Sequence, residues 1–229
     1  MKKQDIFVLL GMVIFFASFF IFRDVYDVYI YVNQHLPLIM AFLKFAILST
    51  FGEMLALRIR TGKYNTPHFG IVPRALVWGF MGIWIAIAMG IYRSGVPAYL
   101  DNFRLFNGIN NAMIGDFSAL KLCGAFCISV MMNTTFAPVF MTIHKITDTH
   151  IIQTGGSLKG FLTHKLHITE IISSIKWKVQ WGFVFKKTIP LFWIPAHTIT
   201  FILPANFQVL FAAFLGVCLG IILSVAAHK

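Results

Sequence analysis

The chain has 229 residues, of which 58% are apolar and only 12% charged, and its mean hydropathy is +0.79. Soluble globular domains carry roughly a quarter charged residues, so this composition excludes one and implies an integral membrane protein. The net charge of +11 does not point to nucleic acid. A nucleic-acid binder gathers its cations on one folded face, whereas these are sorted in blocks between apolar runs.

A membrane helix needs about 20 mostly apolar residues to cover a hydrocarbon core of ~30 Å, and six segments approach that length. In chain order the expected crossings lie near residues 6–22, 37–57, 72–93, 113–143, 187–203 and 205–227. The expected architecture is all-α: a polytopic bundle of about six membrane helices in one domain over 1–229, plus one interfacial amphipathic helix. Lys2 and Lys3 precede the first run, but no small-residue cleavage site follows it. Arg23, Asp24 and the interfacial series Tyr26, Tyr29 and Tyr31 come instead, as expected of a retained helix.

Of the 19 Lys and Arg, 14 fall on the side of the amino terminus, including Arg58, Arg60, Lys63, Arg74 and the cluster from Lys145 to Lys187. Only Arg23, Arg93 and Arg104 fall opposite. Because cytoplasmic connectors retain Lys and Arg, both termini are expected in the cytoplasm. With no organellar or peroxisomal address, a bacterial cytoplasmic membrane is the expected location.

Within the spans, Lys44, Glu53, Asp116 and Lys121 are ionisable residues at membrane depth, which by default face an interior or a pathway. Lys44 and Glu53 are nine residues apart, on opposite helix faces, so each needs a partner elsewhere; for Glu53 these are Lys121 or Arg74. With two Lys and one Arg against two acids, a mild preference for anionic solutes is expected. Pro190, Pro195 and Pro204 interrupt the fifth segment, where a missing backbone donor kinks or breaks a helix. Exposed unpaired backbone is not tolerated against lipid, so this segment belongs in the bundle interior or against a wet cavity.

The segment 154–178 has apolar residues at spacings of three and four from Leu158 to Ile175, with Lys159, Lys165 and Lys176 among them. That is the pattern of a basic amphipathic helix, lying either on anionic headgroups or on the protein's own cytoplasmic end. Gly79 and Gly82 in the third segment, and Gly216 and Gly220 in the sixth, are small residues that let helix backbones approach, within one chain or between subunits of a homo-oligomer. Cys123, Cys127 and Cys218 all fall in apolar spans and read as packing residues. His144 and Asp148, one turn apart, have the spacing of a membrane acyltransferase acid-base couple, and with His150, His164 and His167 could gather a metal. Without a nucleophile, a phosphate loop or a carboxylate-rich box, no enzyme activity, cofactor or metal is expected.

Several short motifs recur in a family order: Gly52-Glu53, Arg74 followed by Gly79-Phe80-Met81-Gly82, Tyr92 with Pro97, Asn133-Thr134-Thr135-Phe136-Ala137-Pro138, and Trp181 leading to Phe192-Trp193-Ile194-Pro195-Ala196-His197. Over residues 45–227 this order resembles the Mpv-seventeen and peroxisomal membrane protein family, as a bacterial-type member. The resemblance implies a small all-helical membrane protein forming a weakly selective channel for small solutes or metabolites. It assigns Glu53, Arg74, Pro138, Pro195 and His197 to family positions, while Leu57 and Ile199 stand where the family has a glutamine and an arginine. The function expected is therefore a solute channel or transporter-like pathway with lipids and small solutes as partners. Lys44, Glu53, Arg74, Asp116 and Lys121 would line it, and Pro138, Pro190, Pro195 and His197 would shape its constriction. The alternative is a non-conducting assembly or lipid-binding protein.

Overall fold

Apolar runs of this length leave a chain in lipid only one way to satisfy its backbone, and the computed structural model is helical wherever it is regular. It describes residues 3–226, with no strand among them. The chain divides into two compact units, residues 1–40 and 41–229.

The first unit holds α1 (Lys3–Ile21) and α2 (Arg23–His35), separated at Phe22, whose backbone is extended at φ −108° and ψ 105°. No residue of α2 is buried, and Arg23 and Asp27 form an exposed i,i+4 pair at 3.9 Å. The interfacial tyrosines lie on this helix. Leu36 ends it, and Pro37, which needs no amide donor in a first turn, opens α3 (Pro37–Thr61).

In the second unit the long elements are the rest of α3, α4 (Ile71–Leu100) and α12 (Ala205–Ala226). Pro37–Thr61, Ile71–Leu100 and Ala205–Ile222 are long and apolar enough to cross a membrane, and a fourth candidate is a bent pair, α6 (Ala119–Thr135) and α7 (Ala137–Gln153), meeting at 46°. Among the described residues three to four candidate spans are thus evident by length and composition. Among the other expected crossings, α1 has only the shorter apolar stretch Gln4–Phe15, and the fifth is divided between two helices.

The fourth segment begins later than expected. Residues 113–118 form an irregular loop after the short α5 (Ile109–Ala112), and Ser118 caps α6 by accepting from the Lys121 amide at 3.1 Å. The apolar Met113, Ile114 and Phe117 prolong the hydrophobic run, but Gly115, Asp116 and a Ser cap stop the helix there. The bend at Phe136 follows from Pro138, which cannot donate to the preceding turn, and from Thr134 and Thr135 hydroxyls bonded back to Val130 and Met131 carbonyl oxygens.

The fifth segment is a 14-residue π-helix, Gln180–Trp193, running into α11 (Ile194–Ile202). Pro190 lies inside the π-helix and Pro195 in the first turn of α11. The i to i−5 pattern persists to the Ile194 amide, which donates to Ile189. Such helices are rare and occur mostly as single-turn bulges inside α-helices, frequently at functional sites.

Close approaches fix the helix order. A Cβ on Gly82 would fall 2.6 Å from Phe45 Cβ, and one on Gly52 would fall 2.9 Å from Val217 Cα. Gly79 likewise seats the Phe42 ring, so Gly79 and Gly82 join α4 to α3. Gly216 faces Ser49, and Gly220 faces Gly52 and Ala56, so α12 runs parallel to α3. Both glycine pairs therefore serve contacts within the chain. At the end of the bundle where α3 stops, loop 62–70 meets the turn after α7: Gly156 has φ +70°, and a Cβ there would strike the His68 backbone. The core is centred on Phe45, Met89, Ile128, Met132, Phe201 and Ala213.

The segment 154–178 is not one amphipathic helix. It comprises α8 (Leu158–Thr163), α9 (Ile168–Ser174) and the single turn α10 (Trp177–Val179), with an extended break at His164. Ile171 and Ile175 are buried against Ile146 of α7, so α9 packs on the protein itself, while Leu162, Trp177 and Trp181 remain exposed.

Candidate functional site

Two long helices and the bent pair bring a buried ionic network together. Arg74, 6% exposed in the first turn of α4, donates from Nη1 to Glu53 Oε2 at 2.5 Å and from Nε to the Phe69 carbonyl oxygen at 2.6 Å. Its Nη2 pairs with Asp148 Oδ1 of α7, and its guanidinium lies 4.5 Å from the centre of the Phe69 ring. Glu53 Oε1 in turn faces His144 Nε2 at 3.2 Å, and Lys145 approaches Asp148 Oδ2 at 3.8 Å. One arginine thus bridges two carboxylates from separate helices, the planar fork supplying several donors that a lysine could not aim. His144 and Asp148, expected as a couple, point to different partners, Glu53 and Arg74.

The network borders one end of a partly open cavity of about 370 Å³. Its walls come from α3, α4, α6, α7, the π-helix, α11 and α12, and are overwhelmingly apolar. Glu53, His144 and Lys145 line it at the network end. Deeper in the bundle a second polar group lines it: Asn133 Nδ2 donates to the Ser129 carbonyl oxygen at 2.9 Å and lies 3.0 Å from His197 Nδ1, and the His197 ring stacks on Trp193 at 5.1 Å. Ser129 Oγ donates to the Ile194 carbonyl oxygen at 2.7 Å, so this group pins the irregular fifth segment to α6.

The expected site residues divide accordingly. Glu53 meets Arg74, one of its two expected partners, and His197 reaches the cavity. Lys44 is buried on α3 but does not line the cavity. Asp116 is exposed in the loop before α6, outside the helix, and Lys121 is in the first turn, where Nζ donates to the Gly115 carbonyl oxygen at 2.6 Å. Neither lines the cavity, so the charge count behind an anion preference does not apply to it. Pro138, Pro190 and Pro195 shape the helices around the cavity without lining it. The remaining histidines take separate partners: His150 Nε2 meets the Phe161 carbonyl oxygen at 3.2 Å, His164 Nδ1 the Gly160 carbonyl oxygen at 2.9 Å, and His167 meets Glu170 at 3.1 Å. Among the described residues no three His, Cys, Asp or Glu gather as metal ligands.

Spacing reveals neither the place of Asp148 in the network nor that of Trp78 beside the cavity. Asp148 is 74 positions from Arg74, and Trp78, whose ring centre is 4.4 Å from that of His144, looks like any apolar residue of a span. No family model matches the chain, and no curated protein or solved structure matches it.

Proposed function

We propose that this protein forms a weakly selective pathway for small solutes across its membrane, with the central cavity as part of that pathway and the Glu53–Arg74–Asp148–His144 network bordering one end. The observation that carries this reading is the coincidence of a largely apolar cavity with an ionisable network at its end, among helices long enough to span. Ionisable groups in such helices are costly, and they persist where they line a route or bind a solute. Glu53, through its contact with both Arg74 and His144, sets the charge preference.

The reading includes six crossings with both termini in the cytoplasm of a bacterial cell. A crossing by residues 180–202 is supported by the parallel course of α12 and α3 together with the contact between loop 62–70 and the turn after α7. If α3 and α7 end on one side and α12 starts on the other, the connecting segment has to traverse the bundle. The Mpv-like resemblance agrees with this function and stands on the same footing.

A second reading, a non-conducting lipid-binding protein, draws on exposed Leu162, Trp177 and Trp181 beside Lys159, Lys165 and Lys176. One assay separates the two. Liposomes carrying the protein and loaded with solutes of graded size and charge should leak, and Glu53→Gln should alter the charge preference of the leak. Liposomes that stay tight with both proteins would sink the pathway and favour lipid binding.

A further inference from the structure

The cavity is walled by rings: Phe45, Trp78, Phe136, Phe140, Phe183 and Trp193 all line it. Its polar end carries the Glu53 carboxylate, with His144 and Lys145 beside it. Around it Arg74, whose side chain is 8% exposed, bridges Glu53 and Asp148, and His144 faces Glu53 at 3.2 Å. Lys145 faces Asp148 from 3.8 Å, but its side chain is 49% exposed, and solvent screens a charge in that setting. Lower polarity around Glu53 strengthens its attraction for a nearby cation.

His144 indicates what this end accommodates. Its ring lies 4.4 Å from the Trp78 ring and its Nε2 lies 3.2 Å from Glu53 Oε1, so a ring able to carry positive charge is held between an indole and a carboxylate. Aromatic faces attract cations through their quadrupole, and an aromatic wall with one carboxylate is the recognition chemistry of organic ammonium groups. The volume, about 370 Å³, is within the roughly 300–1,000 Å³ of small-molecule sites.

We propose that the cavity binds an organic cation with an apolar body, its charged head against Glu53 and Trp78 and its body among Phe45, Phe136 and Phe140. This deepens the pathway reading by naming its solute class, and it reverses the anion preference expected from the charge count. Binding is measurable without conduction, which keeps the two ideas separable.

The test is calorimetric titration of the protein in nanodiscs of phosphatidylcholine alone, where no anionic lipid concentrates the probe. Benzyltrimethylammonium and phenylmethanesulfonate are similar in size and opposite in sign. Saturable binding of the ammonium at least tenfold tighter than of the sulfonate is expected. Glu53→Gln should weaken it at least tenfold and Trp78→Leu several-fold. If Glu53→Gln does not fold, Trp78→Leu decides. Equal or tighter binding of the sulfonate, no saturable binding of the ammonium, or parent-like affinity in a folded Trp78→Leu protein would overturn the proposal. Cation binding by a protein whose liposomes stay tight would sink the pathway alone, whereas solute efflux without cation binding would sink this proposal alone.

Discussion

Arg74 holds two carboxylates that have no other fixed cation at the same depth, since Lys145 is half exposed. Taking charges out of water is expensive, and their mutual attraction offsets the cost only while every member is present. Removing one partner leaves the others buried and uncompensated. Arg74→Met should therefore destabilise the folded protein by about 3–5 kcal/mol, the usual cost of breaking a buried pair from one side. Adding Glu53→Gln and Asp148→Asn to that variant removes both stranded charges and should recover much of the loss. Thermal unfolding in detergent micelles measures both, and a single variant as stable as the parent would show that the network is not closed as described. The Phe69 carbonyl oxygen, which accepts from Arg74 Nε, would lose its donor in every case, so recovery should stay incomplete.

Between helices, the glycines decide how near two backbones come. Gly82 is seated against the Ala41 carbonyl oxygen and Phe45, with no room for a Cβ, whereas a Cβ on Gly90 of the same helix would meet nothing within 4 Å. Gly82→Val should push α4 away from α3 and cost about 1–3 kcal/mol or more, as overpacking does. Gly90→Ala should be neutral or slightly stabilising, because alanine favours the helix by up to about 1 kcal/mol. Equal thermal shifts for the two would contradict the packing at Gly82. The same elements indicate how far the sequence could be read. The second, third and sixth segments were legible because each is a long apolar run ended by charge, Gly or Pro, and they appear as α3, α4 and α12. The start of α6 was not, since hydropathy counts Ile114 and Phe117 as span although the loop conformation of Gly115 and Asp116 excludes them. Nor was the break of 154–178 at His164, because periodicity survives a short interruption. The Glu53–Arg74 pair was legible because a charge on a span needs a partner, and few were on offer. Its extension to Asp148 and His144 depends on the bend at Phe136 and on how α7 leans against α4, which no spacing encodes.

For the whole molecule the decisive element is the segment 180–202, because its course determines the number of crossings. Its beginning, Gln180, lines the cavity together with Lys145 and Glu53, and near its other end Phe201 packs with Met89 and Ala125. Along α4, Arg74 at the network end and Met89 are 15 residues apart, roughly 22 Å at 1.5 Å per residue, which is most of a hydrocarbon core of ~30 Å. The π-helix and α11 together cover a comparable height, so a true crossing would place Ala205 opposite Lys165. Both positions are exposed, as is Asp116, and each tolerates a cysteine without disturbing the core. In a background with Cys123, Cys127 and Cys218 replaced by Ala, a membrane-impermeant maleimide added to intact cells should label Asp116→Cys and Ala205→Cys at once, and Lys165→Cys only after permeabilisation. Labelling of Ala205→Cys together with Lys165→Cys would mean that residues 180–202 enter and leave on one side. In that case α12 could not run parallel to α3 as a span, the network end and the Phe201 end of the bundle would not face opposite compartments, and the cavity would be a binding site open to one side instead of a route across.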